Sequence, residues 1–339
     1  RGAVALEGAD AQRVPHAEPG ALRVAAAGLR HNVALLAGFG ARLPALATSV
    51  ARALRPGSDG PGALLGDAGL LAPRTPLNVA ISRRRAFATV SVPLDRARAI
   101  AKTHDASLND VVLAACGDAL RGWLDARGAL PDAPLLAAVP VSLRRPGDAQ
   151  SNTQAMMARI PLATDLADPV ARLLRIRDAS ARMKGALRDV KGAVPTEFPS
   201  LGLPWLGNLL AAAWGRTRLA NRLPPIANVV VSNVPGPVVP LHLLGARMLS
   251  YWPVSIPVHS MALNVTVQSY AGSLDFGLIA CRRALPDVDD VAARIGAAFD
   301  ALETAAAPRG RAPGRASGGR GARPAPARRR RSADDAPAP

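Results

Sequence analysis

Five histidines, His16, His31, His104, His242 and His259, are the side chains best suited to take a proton from a hydroxyl nucleophile near neutral pH. Four residues beyond them stand Gly20, Leu35, Leu108, Ala246 and Leu263, so the sequence holds no His-x-x-x-Asp pairing. It also holds no Gly-x-Ser-x-Gly elbow, no glycine-rich phosphate loop ending in Lys, and no His/Cys cluster at metal-ligand spacing. Cys116 and Cys281 lie far apart in apolar surroundings, which fits a reduced, cytoplasmic compartment and gives neither a redox pair nor a metal site. No complete catalytic constellation is present, so the residues of interest are those able to line a site built elsewhere.

Three stretches offer them. Ser107-Leu108-Asn109-Asp110 has the Ser-x-x-acid form that caps a helix; this gives Asp110 a structural reason to be there and leaves Asn109 available to a site. Ser232 and Asn233 end the β-branched run Val229-Val230-Val231 just before Pro235-Gly236-Pro237, so a hydroxyl and an amide stand where a strand gives way to a turn. Asp275 and Arg247 are the only formally charged residues in Leu223–Cys281. An acid in so apolar a stretch needs a buried partner, and Arg247 is the expected one.

The elements that position these residues follow from hydrophobic period. Strands are expected over 87–92, 135–142 and 154–162, and helices over 95–104, 107–127 and 169–190, the last capped by Asp168. Four more strands are expected near 227–233, 246–254, 261–270 and 274–281, followed by a helix over 288–304. Pro224, Pro225, Pro235, Pro237, Pro240, Pro253 and Pro257 exclude a membrane helix from this uncharged region. Strands and helices interleave throughout, which makes the class α/β with a mixed sheet.

The net charge of +17 is unevenly placed: residues 308–339 carry nine Arg and two Asp, and no aliphatic side chain larger than Ala. Such a tail cannot bury enough surface to offset the entropy of ordering, so it reads as disordered, either as an electrostatic attachment to anionic surfaces or as a solvated tail. Residues 21–55 read as an interrupted amphipathic helix, for a membrane, a partner or the chain's own fold. The uncharged stretch 198–215, with Trp205 and Trp214, reads as an acyl-chain lid, an interfacial anchor or core.

Five pieces occur in one order: Pro73-Arg74-Thr75-Pro76-Leu77-Asn78, Asn109-Asp110-Val111-Val112-Leu113-Ala114, Val139-Pro140-Val141-Ser142-Leu143-Arg144, Ser232-Asn233-Val234-Pro235-Gly236-Pro237, and Leu274-Asp275-Phe276-Gly277-Leu278. Together they resemble the wax ester synthase/diacylglycerol acyltransferase family across roughly residues 70–306. The resemblance implies a chloramphenicol acetyltransferase-like fold, two sandwich lobes with the active site in the tunnel between them. It implies acyl-CoA as co-substrate with no further cofactor, and diacylglycerol or a long-chain alcohol as acceptor. The enzyme would then be cytoplasmic and held peripherally at a membrane, lipid-droplet or lipid-inclusion surface. Asn109, Asp110, Ser232 and Asn233 are implied to line the site, whereas Pro76, Leu77, Asn78, Pro235, Gly236, Asp275, Phe276 and Gly277 are implied to be architectural.

The family's general base lies in a His-His-x-x-x-Asp-Gly motif of the first lobe, which this sequence lacks. The expectation is therefore a C-terminal portion, inactive alone, with the first lobe largely missing and the base encoded just before Arg1. Residues 1–75 would be an amphipathic segment and linker, 76–306 the C-terminal lobe, and 307–339 the basic tail. The rival reading is a non-catalytic scaffold that binds membrane or nucleic acid; nucleic acid is the less favoured partner, because the tail has no stacking aromatics.

Overall fold

The computed structural model describes residues 71–142, 155–190 and 217–306, with a helical stretch at 26–30 and isolated positions between 20 and 33. Most of the 21–55 segment, the linker as far as residue 70, the Trp205/Trp214 segment and the basic tail lie outside the described residues.

Chain order is β1 (Arg85–Pro93), α1 (Leu94–Thr103), α2 (Leu108–Asp125), β2 (Leu136–Ser142), β3 (Ala155–Pro161), α3 (Pro169–Val190), β4 (Val229–Val234), β5 (His242–Leu243), β6 (Ala246–Arg247), β7 (Leu263–Tyr270), β8 (Ser273–Cys281) and α4 (Val288–Ala306). Six strands form one mixed sheet in the order β1-β8-β7-β4-β2-β3. β4 runs parallel to both β2 and β7, while the β1–β8, β8–β7 and β2–β3 pairs are antiparallel. The sheet is the mixed α/β lobe that the sequence implies.

Alternation decides which side chains meet the helices. Val229 and Val231 of β4, Leu263, Val265 and Val267 of β7, and Leu274, Phe276 and Leu278 of β8 join the helices in one core. The Phe276 ring meets Phe299 of α4 edge to face, with centroids 6.0 Å apart. The intervening positions of β7 and β8, Asn264, Thr266, Gln268 and Asp275, are polar yet no more than 8% exposed.

Their cover is the proline-rich strap 235–261, and its composition explains their polarity. Proline has no N–H to give a ladder, so the strap does not join the six-stranded sheet and many of its backbone groups need other partners. Side chains of the sheet supply several of them: Asn264 donates to the Ile256 carbonyl (3.1 Å), and Asp275 accepts from the Tyr251 N–H (2.7 Å). A Cβ at Gly277 would overlap the Pro253 carbonyl oxygen, so the strap lies on the sheet where only glycine leaves room.

Two expectations are corrected here. The strand foreseen over 246–254 is only the pair Ala246–Arg247, matched with His242–Leu243 across a Leu244-Gly245 turn whose two φ angles are both positive (49° and 84°). The chain beyond Arg247 runs irregularly through Pro253 and Pro257. Asp275 also does not pair with Arg247, which is exposed on that hairpin. Its carboxylate instead accepts from the Ser91 and Ser273 hydroxyls (2.7 Å each) and from Tyr251 N–H, so neutral donors replace the ion pair.

Candidate functional site

Helix α2 begins with the capping box expected at Ser107. The Ser107 side chain accepts from the Asp110 N–H (3.3 Å), and Asp110 Oδ2 accepts from the Ser107 N–H (2.9 Å) and hydroxyl (2.6 Å). Asp110 is buried, and its other oxygen, Oδ1, has no hydrogen-bond partner among the described residues. Asn109, one position earlier, is half-buried. A ten-residue connection after Asp125 leads into β2, to which β4 runs parallel, and β4 is parallel with β7 in turn.

Ser232 and Asn233 stand near the C-terminal end of β4. They continue the buried Val229-Val230-Val231 run, are half-buried themselves, and lie in register with Thr266 and Val267 of β7. By alternation Ser232 shares the strap-covered face with Thr266, and Asn233 the helix side. The strand then breaks into Pro235-Gly236-Pro237. The Gly236 N–H donates to the Ser269 hydroxyl (3.0 Å) and the Pro237 carbonyl accepts from Ala271 N–H (3.1 Å), which docks the turn on the β7–β8 hairpin. A Cβ at Gly236 would strike the Ser269 carbonyl and the Gln268 side chain. No hydrogen bond links Asn109 and Asp110 of α2 to Ser232 and Asn233 of β4.

Asn78 holds the floor beneath. Fully buried, its Oδ1 accepts from Thr75 N–H (3.0 Å), the Thr75 hydroxyl (2.8 Å) and Asn228 Nδ2 (2.9 Å), while its Nδ2 donates to the carbonyls of Ala227 (3.0 Å) and Ser260 (2.7 Å). Leu77 beside it is fully buried and Pro76 exposed. Asn228 completes the latch, accepting from the Leu136 N–H (2.8 Å) and donating to Pro73 O (2.6 Å). Sequence reasoning missed Asn228; its only signal was an amide abutting a run of valines.

None of the three described histidines contacts a carboxylate. His259 Nδ1 accepts from the Ile81 N–H (3.2 Å), His242 lies exposed on the β5–β6 hairpin, and His104 Nε2 is buried with no partner. No His/Cys/Asp/Glu cluster suited to a metal occurs among the described residues. Burial pushes the Cys116 thiol up to about 12. At Cys281 burial also raises the pKa, but hydrogen bonds with the Ser82 side chain and backbone and with the Arg283 and Ala284 N–H groups outweigh it, so the thiol sits below its ordinary value.

Comparison with known proteins places two family patterns on the chain, in order. The wax ester synthase/diacylglycerol acyltransferase catalytic domain matches residues 6–112, across the boundary expected at residue 75, and the WS/DGAT C-terminal domain matches residues 152–303. Two proteins of Mycobacterium tuberculosis, named "Putative diacyglycerol O-acyltransferase Rv3480c" and "Putative diacyglycerol O-acyltransferase Rv3740c", are each 42% identical over 235 residues, 69% of this chain. The match takes in 47% of the first relative and 51% of the second, so the chain spans about half the length of the curated relatives it matches. Among solved structures, the wax ester synthase/diacylglycerol acyltransferase from Marinobacter aquaeolei VT8 superposes with a TM-score of 0.54 at 35% identity, over 69% of this chain and 52% of that one.

Proposed function

The chain belongs to the wax ester synthase/diacylglycerol acyltransferase family, and on that premise we propose that it forms one wall of an O-acyltransferase site that moves a fatty acyl group from acyl-CoA to diacylglycerol or a long-chain alcohol. The observation that carries the reading is the match to both the catalytic and the C-terminal patterns of this family, in order along one chain.

In such a transfer a base takes the proton of the acceptor hydroxyl, and the oxygen attacks the thioester carbonyl. Donors hold the resulting oxyanion, and the carbon–sulfur bond breaks to release the CoA thiol. The sequence holds no His-x-x-x-Asp, and none of the described histidines contacts a carboxylate, so the base in this reading is supplied from outside these residues. The chain's own part is to bind, orient and exclude water. The Ser232 hydroxyl and the Asn233 and Asn109 amides are the donors in this proposal, and Asp110 fixes the start of α2 that carries Asn109.

The strap presents the surface on which the remainder of the site closes. Eleven large apolar side chains between Val238 and Val258 are exposed, among them Leu244 (100%), Leu249 (85%) and Leu243 (77%). Patches of this kind mark interaction surfaces in soluble proteins, and the occupant proposed here is the first lobe, which carries the family's base. Peripheral attachment to a lipid surface belongs to the same proposal, since both acceptors are water-insoluble and no described helix is long and apolar enough to cross a membrane. The test is incubation of the 339-residue chain with labelled oleoyl-CoA and, separately, dioleoylglycerol and hexadecanol. No labelled ester above the protein-free blank is expected from the chain alone, and robust turnover would overturn the division of labour.

A further inference from the structure

The end of the β1–β8 ladder brings together charges that the sequence keeps about two hundred residues apart. Arg85 pairs with Cys281, and one step further the Arg282 N–H donates to the Arg84 carbonyl (3.1 Å), so Arg83-Arg84 and Arg282-Arg283 come to lie across from one another. Like charges opposed across paired strands destabilise the pairing. No carboxylate relieves them. Each ion pair found among the described residues uses other arginines, and the side chains of Arg83, Arg84 and Arg282 make no hydrogen bond there either. Only Arg283 is tied down, donating to the Ala80 carbonyl (2.9 Å).

The four arginines, with Ser82 and Pro286, line an open cleft of about 540 Å3. Three neighbouring arginines, Arg83, Arg84 and Arg282, whose side chains have neither acid nor backbone partner among the described residues, are short of an anion. Their planar forked donors match a phosphate's oxygens, two N–H groups to two oxygens. We propose that this cleft is a phosphate-binding site for a phosphorylated ligand, with Arg84 and Arg282 as its principal donors. The phosphate could be delivered by a soluble nucleotide such as the adenosine 3′-phosphate and pyrophosphate of a CoA thioester, or by a lipid headgroup. The site does not depend on the acyl-transfer reading, because phosphate binding is measured without turnover.

The experiment is isothermal titration of the full 339-residue chain with inorganic pyrophosphate, comparing wild type with Arg84→Ala/Arg282→Ala and with Arg309→Ala/Arg311→Ala. The last removes the same charge from the tail. Affinity should fall about tenfold or more in the cleft variant, the loss expected from removing charge-assisted hydrogen bonds, and stay within twofold of wild type in the tail variant. Equal losses in both, or none in the cleft variant, would overturn the site. Arg84→Lys/Arg282→Lys, with an unchanged melting temperature, should recover part of the affinity; folded Lys and Ala variants that bind equally poorly would also count against it. Adenosine 3′,5′-diphosphate binding and flotation on phosphatidylglycerol vesicles, run on the same variants, tell which source supplies the phosphate.

Discussion

Replacing Asn78 tests whether the Pro-Leu-Asn stretch is held by hydrogen-bond direction or merely by filling space. The side chain is fully buried and makes five hydrogen bonds, three accepted at Oδ1 and two donated from Nδ2. At about 1 kcal/mol net for each, Asn78→Ala forfeits about 5 kcal/mol, and a water entering the vacated space recovers part, leaving about 3–5 kcal/mol. Against a total domain stability of about 5–15 kcal/mol this is a large loss. Asn78→Asp keeps the shape but turns an acceptor oxygen toward the Ala227 and Ser260 carbonyls, where Nδ2 had donated. It should therefore cost at least as much as the Ala change at neutral pH. Urea denaturation followed by tryptophan fluorescence gives both values. An Asp variant within about 1 kcal/mol of wild type would refute the reasoning, because volume alone would then explain the site.

Gly277→Ala should lift the strap from the sheet, since its Cβ collides with the Pro253 carbonyl; the expected cost is about 1–3 kcal/mol, with earlier proteolytic cleavage within 235–261 as the local readout. The uncovered strap should make the purified chain bind a hydrophobic dye or self-associate, and Leu243→Ser/Leu244→Ser/Leu249→Ser should reduce both without lowering the melting temperature, because all three are exposed. Cys116 should resist thiol reagents until the protein unfolds. Its folded pKa, about 12, lies above the 9.0 of a free thiol, so its contribution is complete below pH 9 and lost as pH rises toward 12, an added alkaline slope that Cys116→Ala should remove.

Elements with strong local signals were legible in the sequence. The Ser107 capping box and the Asp168 cap fixed the starts of α2 and α3, and alternating or β-branched runs marked the sheet strands to within about two residues at most ends. Resemblance pointed to the Asn109-Asp110 and Ser232-Asn233 pairs, because their motifs are short and contiguous. Within the strap, 246–254 was misread as a strand since apolar residues imply burial, whereas here the segment runs irregularly beyond Arg247 and leaves Leu249, Tyr251, Trp252 and Val254 exposed. The Arg247 expectation failed for a related reason: the rule that a buried acid needs a partner is sound, but two serines and a backbone N–H satisfy it, and none of these is visible as a charge. The arginine cleft was hidden because strand pairing, and not sequence distance, brings its two dipeptides together.

The most direct test of the central claim joins this chain to the half it is proposed to need. The N-terminal half of the Marinobacter aquaeolei enzyme, which shares the fold, would be fused ahead of residue 71 in place of this chain's own N-terminal segment, and labelled ester formation from oleoyl-CoA and hexadecanol measured. The account predicts turnover by the fusion and none by the 339-residue chain, with Asn109→Ala or Ser232→Ala in the fusion lowering kcat at least tenfold at unchanged melting temperature, as loss of a donor at a developing charge would. A fusion that folds and binds oleoyl-CoA yet forms no ester, or whose kcat is indifferent to both substitutions, would contradict it.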